Sequence, residues 1–412
     1  MNGTAGAATG MAERVRRRLA VSGHDPTPAA VVSAVRAEPG AAVLGDAGLL
    51  RLAAQVRREL AGTGPLGSLL ADPAVSDVLV NGPDEVWVDR GAGLTRVAID
   101  LGDADDLRRL AQRLAAGCGR RLDDACPFAD VRLPDGTRLH AVLPPIATGG
   151  PYLSLRTFRR RPYTMDELVA AGTVAPEAAE MLAAIVAARL AYLVTGGTGA
   201  GKTTLLNTLL ALVPPHERIV LVEDAAELRP THPHVVGLQT RASNVEGAGA
   251  VSLRDLVREA LRMRPDRLVI GECRGVEVVD LLAALNTGHE GGAGTLHANA
   301  PTDVPARLEA LGLLGGLPRA ALHAQVAAAL QVILHLRRDR SGRTLEEICL
   351  LLPSGPERLV AAVPAWRRMD GPGPAAAPLA RLLTQRGVRV PPALTRPHRP
   401  AGVPDGDRGH RP

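Results

Sequence analysis

With 412 residues, 46% of them hydrophobic, the chain is long enough for two or three domains with cores of their own. Aromatic residues supply only 2%, so those cores must be built of Ala, Leu and Val. The net charge of +5 is too modest to argue for a nucleic-acid or acidic-membrane partner, and the four cysteines form no CxxC pair, which points to free thiols in a reducing compartment and against a metal site.

Met1 to Gly10 is small and polar with charges immediately after, so no signal peptide is expected. No uncharged apolar run approaches the roughly 20 residues of a membrane-spanning helix. The expected location is cytoplasmic, at most peripheral to the inner face of the cell membrane. Residues 1–62 read as a helical arm, with helices over 12–20, 28–37 and 46–60 that mix apolar spacing with arginines.

Residues 65–158 read as a compact α+β domain. Val78-Leu79-Val80, Asn81-Gly82-Pro83 and Val86-Trp87-Val88 spell a hairpin with an Asn-Gly turn, and Trp87 reads as core. Leu94 to Ile99 continues the strand pattern, and Asp105 to Ala116 is an amphipathic helix. Asp130 to Leu133, Pro134-Asp135-Gly136 and Thr137 to Leu143 spell a second hairpin, and Tyr152 to Phe158 a last strand. Residues 159–175 read as a linker, with a hinge at Arg159-Arg160-Arg161-Pro162. Thr164-Met165-Asp166-Glu167 has capping-box spacing, so a helix starts there.

Residues 176–353 alternate strands with helices. After a helix from Pro176 to Arg189, strands are expected at 191–195, 218–222, 235–239, 267–271, 293–296 and 331–337. Helices are expected at 202–212, 252–263, 275–286 and 304–311, and a closing strand at 344–352. This predicts an α/β domain with a mostly parallel sheet covered on both faces. Residues 354–412 form a C-terminal extension, Pro- and Arg-rich, expected to be disordered after about Arg386.

Four stretches carry chemistry. Gly196-Gly197-Thr198-Gly199-Ala200-Gly201-Lys202-Thr203, followed by Thr204, lies between an apolar strand and a helix, the context of a P-loop. Glycines let consecutive N–H groups turn onto phosphates, Lys202 is placed to reach the β- and γ-phosphates of a nucleoside triphosphate, and the Thr203 hydroxyl to ligate Mg²⁺. Of 48 Lys plus Arg, Lys202 is the only lysine, which singles out a place for a compact ammonium. The strand 219–222 ends in Glu223-Asp224-Ala225-Ala226-Glu227, three carboxylates suited to hold Mg²⁺ through water and to take a proton from it. The strand at Arg267 ends in Gly271-Glu272, a Walker B position facing Thr203 across the metal. Gly288-His289-Glu290 and Thr295-Leu296-His297 supply two histidines, read as sensors of nucleotide or of the acids.

Together these stretches resemble the Asp box, Walker B and His box of the secretion traffic ATPases, which serve type II secretion, type IV secretion and type IV pili. Ser252-Leu253-Arg254-Asp255-Leu256-Val257-Arg258 and its continuation to Arg267, Asn286-Thr287-Gly288-His289 and Arg132-Leu133-Pro134-Asp135-Gly136-Thr137-Arg138-Leu139-His140 are similar to the branch that drives tight-adherence (Flp) pili, the CpaF type. The resemblance covers about Pro65 to Leu352. It implies a RecA-like P-loop domain behind a PAS-like one, and a homo-hexamer with ATP between subunits. It further implies inner-membrane platform proteins as partners, with no direct nucleic-acid binding. By the same resemblance Glu227 is the catalytic glutamate, Glu272 the Walker B acid, and Arg156 the charge reaching the γ-phosphate from the preceding domain. Arg241 is a weaker match for that last role. The absence of a four-cysteine insert favours the pilus branch over type II secretion. A DNA-transfer ATPase and a non-hydrolysing nucleotide-binding scaffold are the alternatives.

Overall fold

The computed structural model describes residues 28–41, 62–91, 93–157, 162–241, 248–339 and 342–395, with a few isolated positions elsewhere. Two units divide at Arg159/Arg160. Most of the expected helices at 12–20 and 46–60, and Arg159 to Arg161 of the expected hinge, lie outside the described residues.

In the first unit, helix α1 (Pro28–Arg36) buries Val31 and Val35 in a small cluster with Ala41. Six antiparallel strands follow in the order β3-β2-β1-β6-β5-β4: β1 Asp77–Val80, β2 Val86–Asp89, β3 Leu94–Val97, β4 Phe128–Arg132, β5 Arg138–Val142 and β6 Tyr152–Arg156. Both expected hairpins are present. The first turns through Asn81 to Glu85, longer than a two-residue Asn-Gly turn. Helix α2 (Ala104–Gly117) is closed at its start by reciprocal Asp103–Asp106 capping. It packs Leu107, Leu110 and Leu114 among the inward residues of β1, β5 and β6. Trp87 is not core. The pleat turns Val86 and Val88 inward, and leaves Trp87 half-buried with its indole N–H donating to Glu85 Oε1 at 2.9 Å.

The second unit begins with α3 (Met165–Ala170), capped by Thr164 and Glu167 as its spacing predicts. Leu168 and Val174 are buried with α4 (Pro176–Ala187), so residues expected as linker belong to this unit's core. The strands are β7 Tyr192–Gly196, β8 Ile219–Glu223, β9 Val235–Gln239, β10 Arg267–Cys273, β11 Ala293–His297, β12 Val332–Asp339, β13 Gly342–Ser354, β14 Leu359–Arg367 and β15 Gly371–Pro372. Their order is β15-β14-β13-β12-β7-β11-β10-β8-β9. From β12 to β9 every pairing is parallel, and from β12 to β15 every pairing is antiparallel. The sheet is mixed, with its parallel part where periodicity put it.

The helices are α5 (Lys202–Leu210), α6 (Leu253–Leu261), α7 (Glu277–Asn286), α8 (Val304–Leu314), α9 (Arg319–Ala329) and α10 (Ala376–Gln385). One face of the sheet is covered by α4, α5 and α10, the other by α6 to α9. Helix α9 is absent from the sequence reading. Its run Arg319-Ala320-Ala321-Leu322-His323-Ala324-Gln325-Val326 is too Ala-rich to show a marked stripe. The expected disordered tail is the larger departure. Strands β14 and β15 extend the sheet, and Leu379, Leu383, Val388 and Leu394 join the core, so the fold runs to Thr395.

Candidate functional site

The glycine loop joins the C-terminal end of β7 to α5. Beyond that end, the first N–H groups of α5 lack intrahelical partners and carry the positive end of the helix dipole. Gly196, Gly199 and Gly201 all have positive φ, and Gly201 is the N-cap of α5. A Cβ on Gly196 would stand 2.4 Å from the Leu336 carbonyl oxygen of the neighbouring strand β12. Lys202 folds back over the loop, its Nζ donating to the Gly196 and Gly197 carbonyls at 3.0 Å each. The loop's cation is therefore already placed over the glycines. Thr203 and Thr204 follow in the first helical turn.

The acids arrive from strands two and three places away. Glu272 lies on β10, roughly 10 Å from β7 by strand spacing. Its Oε2 pairs with Arg274 Nη2 at 2.5 Å. Strand β8 ends in buried Glu223, whose Oε1 accepts the backbone N–H groups of Glu227 and Leu228, each at 2.9 Å. Glu223 is thus a positioning residue: it ties down the turn that carries Glu227. Its side chain lies over Gly271, where a Cβ would come within 2.7 Å of Glu223 Cγ. Asp224 is exposed, and its carbonyl accepts the Thr240 hydroxyl. The same turn is fastened to the glycine-loop helix, because Asn207 Oδ1 on α5 accepts the Arg229 N–H at 2.8 Å. Half-buried Glu227 thus sits in a turn tied to β8 by Glu223 and, two residues on, to the loop's own helix by Asn207.

The two expected histidines separate. His297 ends β11 in register with Gly196, beside the loop. His289 precedes β11, whose first residue pairs with Tyr192 at the start of β7. That is the opposite end of the sheet, roughly 15 Å along a five-residue strand. There His289 Nδ1 meets the Ala284 carbonyl at the end of α7. As a sensor within one chain His289 is not brought to the loop. Parallel pairing explains why: residues before a strand and after it cannot share an edge. Arg241 follows β9, four strands from β7, and its Nε donates to the Gly249 carbonyl at 2.7 Å. Arg156 ends β6 in the first unit, opposite Asp77 and 3.9 Å from its carboxylate.

Four further residues meet the site without having been read from sequence. Asn207 is one. His335 on β12 is another: buried, it bonds the Thr195 hydroxyl at 3.0 Å and the Asn299 backbone. Burial pushes its pKa down, against smaller upward pulls from Glu347, Glu346 and Asp303. The last two are Arg338 and Arg343, which face each other across the β12–β13 hairpin and reach Gly199. Only their positions in space single them out; in sequence they sit in an ordinary charged turn.

A glycine loop at a helix start, one ammonium, a hydroxyl and carboxylates beyond neighbouring parallel strands define a site for a phosphorylated ligand. Among the described residues no three His, Cys, Asp or Glu gather as a metal cage. A hydroxyl and a carboxylate suit Mg²⁺, which keeps water and ligand oxygens in its shell.

Comparison with known proteins gives the class a family. The chain belongs to the type II/IV secretion system protein family, whose model matches residues 59–350. It is 57% identical over 351 residues to a putative conjugal transfer protein of Mycobacterium tuberculosis, covering 84% of this chain and 99% of that one. It is 33% identical over 297 residues to the type IV secretion system protein PtlH of Bordetella pertussis, covering 65% and 87%. The structure of the pilus retraction motor PilT with bound ADP is similar at 22% identity and TM-score 0.51, over 71% of this chain and 83% of that one, a likeness of fold.

Proposed function

We propose that the chain is an ATP-hydrolysing motor of a bacterial secretion or pilus-assembly system. The observation that carries this is the fastening of the Glu227 turn to the glycine-loop helix through Glu223 and Asn207. It ties the turn that carries a carboxylate to the helix that follows the phosphate cradle. A scaffold that only bound nucleotide would not need the carboxylate there.

In this reading the second unit is a RecA-like P-loop domain and the sheet of the first is PAS-like. The loop amides and Lys202 hold the phosphates of ATP. Glu227 takes the proton of the attacking water as general base. Thr203 and Glu272 hold Mg²⁺, which when bound neutralises charge on the phosphates. The resemblance assigns the positive charge needed at the γ-phosphate to Arg156. His297 reads the nucleotide from beside the loop. The working form is a homo-hexamer acting on inner-membrane platform proteins, so membrane association is peripheral and through partners. No helix among the described residues is long and apolar enough to cross a membrane.

Two cargo readings stand. The resemblance to CpaF-type ATPases favours Flp pili. The name of the 57% identical relative, a putative conjugal transfer protein, favours DNA transfer. Release of phosphate from MgATP by the full chain, abolished in Lys202→Ala, tests the motor. An inert wild-type protein that still binds MgADP would leave the scaffold instead.

A further inference from the structure

We propose that Arg343, on the β12–β13 hairpin, is a positioning residue of the nucleotide site, holding the phosphate loop open from outside; this rests on the reading of that loop as a nucleotide cradle. Strand β12 runs parallel to β7, with Leu336 in register with Gly196. The chain therefore continues past the glycine loop for three residues before the hairpin returns it. That return brings Arg343 opposite Arg338. Arg343 Nε donates to the Gly199 carbonyl at 2.8 Å, and its Cδ lies 3.3 Å from where a Cβ of Gly201 would be. Arg338 closes the other side, its Nη1 being 2.8 Å from the Cβ position of Gly199. Both side chains are exposed, and Arg343 makes no ion pair among the described residues.

A trans peptide plane sets the consequence. The Gly199 carbonyl and the Ala200 N–H lie on opposite sides of one rigid unit. Gly199 is the permissive end of that unit; its other end is Ala200, whose N–H donates to the Gly197 carbonyl at 3.3 Å. A guanidinium gripping the carbonyl from outside adds a second, stronger hold and keeps the oxygen from turning toward phosphate oxygens, where it would repel them. The bond is charge-assisted, and its orientation comes from Nε, which lysine lacks. The hairpin also begins the antiparallel half of the sheet, so the grip ties the cradle to β13, β14 and α10.

The test uses the full chain and three variants, Arg343→Ala, Arg343→Lys and Arg338→Ala. MgADP titration by calorimetry is paired with hydrogen exchange of the loop amides without nucleotide. Arg343→Ala should weaken MgADP about tenfold and speed exchange at residues 199–203, with exchange in the strands unchanged. In turnover KM for ATP should rise while kcat holds. Arg343→Lys should resemble Arg343→Ala, because charge without the Nε geometry does not restore the grip. Arg338→Ala should have a smaller effect. A wild-type-like Arg343→Lys would overturn positioning and leave only charge, and unchanged loop exchange in Arg343→Ala would overturn the inference outright. A wild-type chain that binds no MgADP yet loses loop protection in Arg343→Ala would instead overturn the nucleotide reading and leave the grip standing.

Discussion

Glu223 Oε1 accepts the backbone N–H of Glu227 at 2.9 Å, so the first acid of the box holds the last one in place. The two carboxylates, four residues apart, have opposite jobs. Glu223 is buried and accepts backbone donors; Glu227 is half-buried, and in the proposed function its side chain is the general base.

Substitution separates those jobs. Glu223→Ala strands the buried Leu228 N–H and the part-buried Glu227 N–H, at a cost of about 1–3 kcal/mol for an unmet buried donor. The variant should lose about 2 kcal/mol or more in urea unfolding. Glu227→Ala, at a partly open turn, should stay within about 0.5 kcal/mol of wild type. Equal losses in the two would contradict the division.

Lys202→Arg should bind MgATP poorly and turn over little, although it keeps the charge. The Lys202 ammonium fits against two carbonyls 3.0 Å away, a place for a compact cation and not a planar fork. Near-normal turnover in this variant would show that any cation suffices. An amine-selective reagent offers a second check, because Lys202 and the α-amine are its only targets. Saturating MgATP should protect Lys202 and prevent inactivation.

Truncation distinguishes ordered from dispensable C-terminal chain. Removal of 396–412 should leave stability and turnover unchanged. Removal from Ala376 onward strips Leu379, Leu383 and Leu394 from the core and should cost several kcal/mol, given about 2–5 for each large apolar side chain lost. Cutting at Arg386 falls between the two. It removes Val388 and Leu394 and the ion pair of Arg386 with Glu290, which holds that carboxyl below its usual range. A stable, active chain ending at Ala375 would refute the placement of α10 in the core.

His335 gives the fold a pH dependence. Its folded pKa lies below the unfolded value of about 6.5, so the unfolded chain binds the proton more readily. The stabilisation is present above pH 6.5 and is lost as pH falls through the folded pKa. His335→Gln should flatten stability below about pH 6.5 relative to wild type. A variant with an unchanged acid slope would remove His335 as its cause.

Much of this was legible along the chain. Strand and helix bounds from 191 to 314 fall within three residues of expectation, because buried parallel strands read as unbroken apolar runs ending in glycine or acid. The loop, Glu272 and the Glu223–Glu227 box stood out for the same reason. What escaped depended on contacts across the sheet. Asn207 and Arg343 carry no local signal, and each matters through a carbonyl or N–H contributed by a segment more than 20 residues away. His289 misled because glycine-rich spacing does not say at which end of a strand a residue falls. The extension misled because Gly371-Pro372-Gly373-Pro374 breaks any periodic pattern, whereas the structure places Pro372 in the edge strand β15, where a missing donor is tolerated.

The most direct test of the motor assignment is Glu227→Gln in the full chain, with MgATP binding and phosphate release measured on the same preparation. The amide keeps the shape and the turn but cannot take the water's proton. Binding should stay near wild type while release falls on the order of a hundredfold or more. Release at the wild-type rate with binding intact would contradict the account.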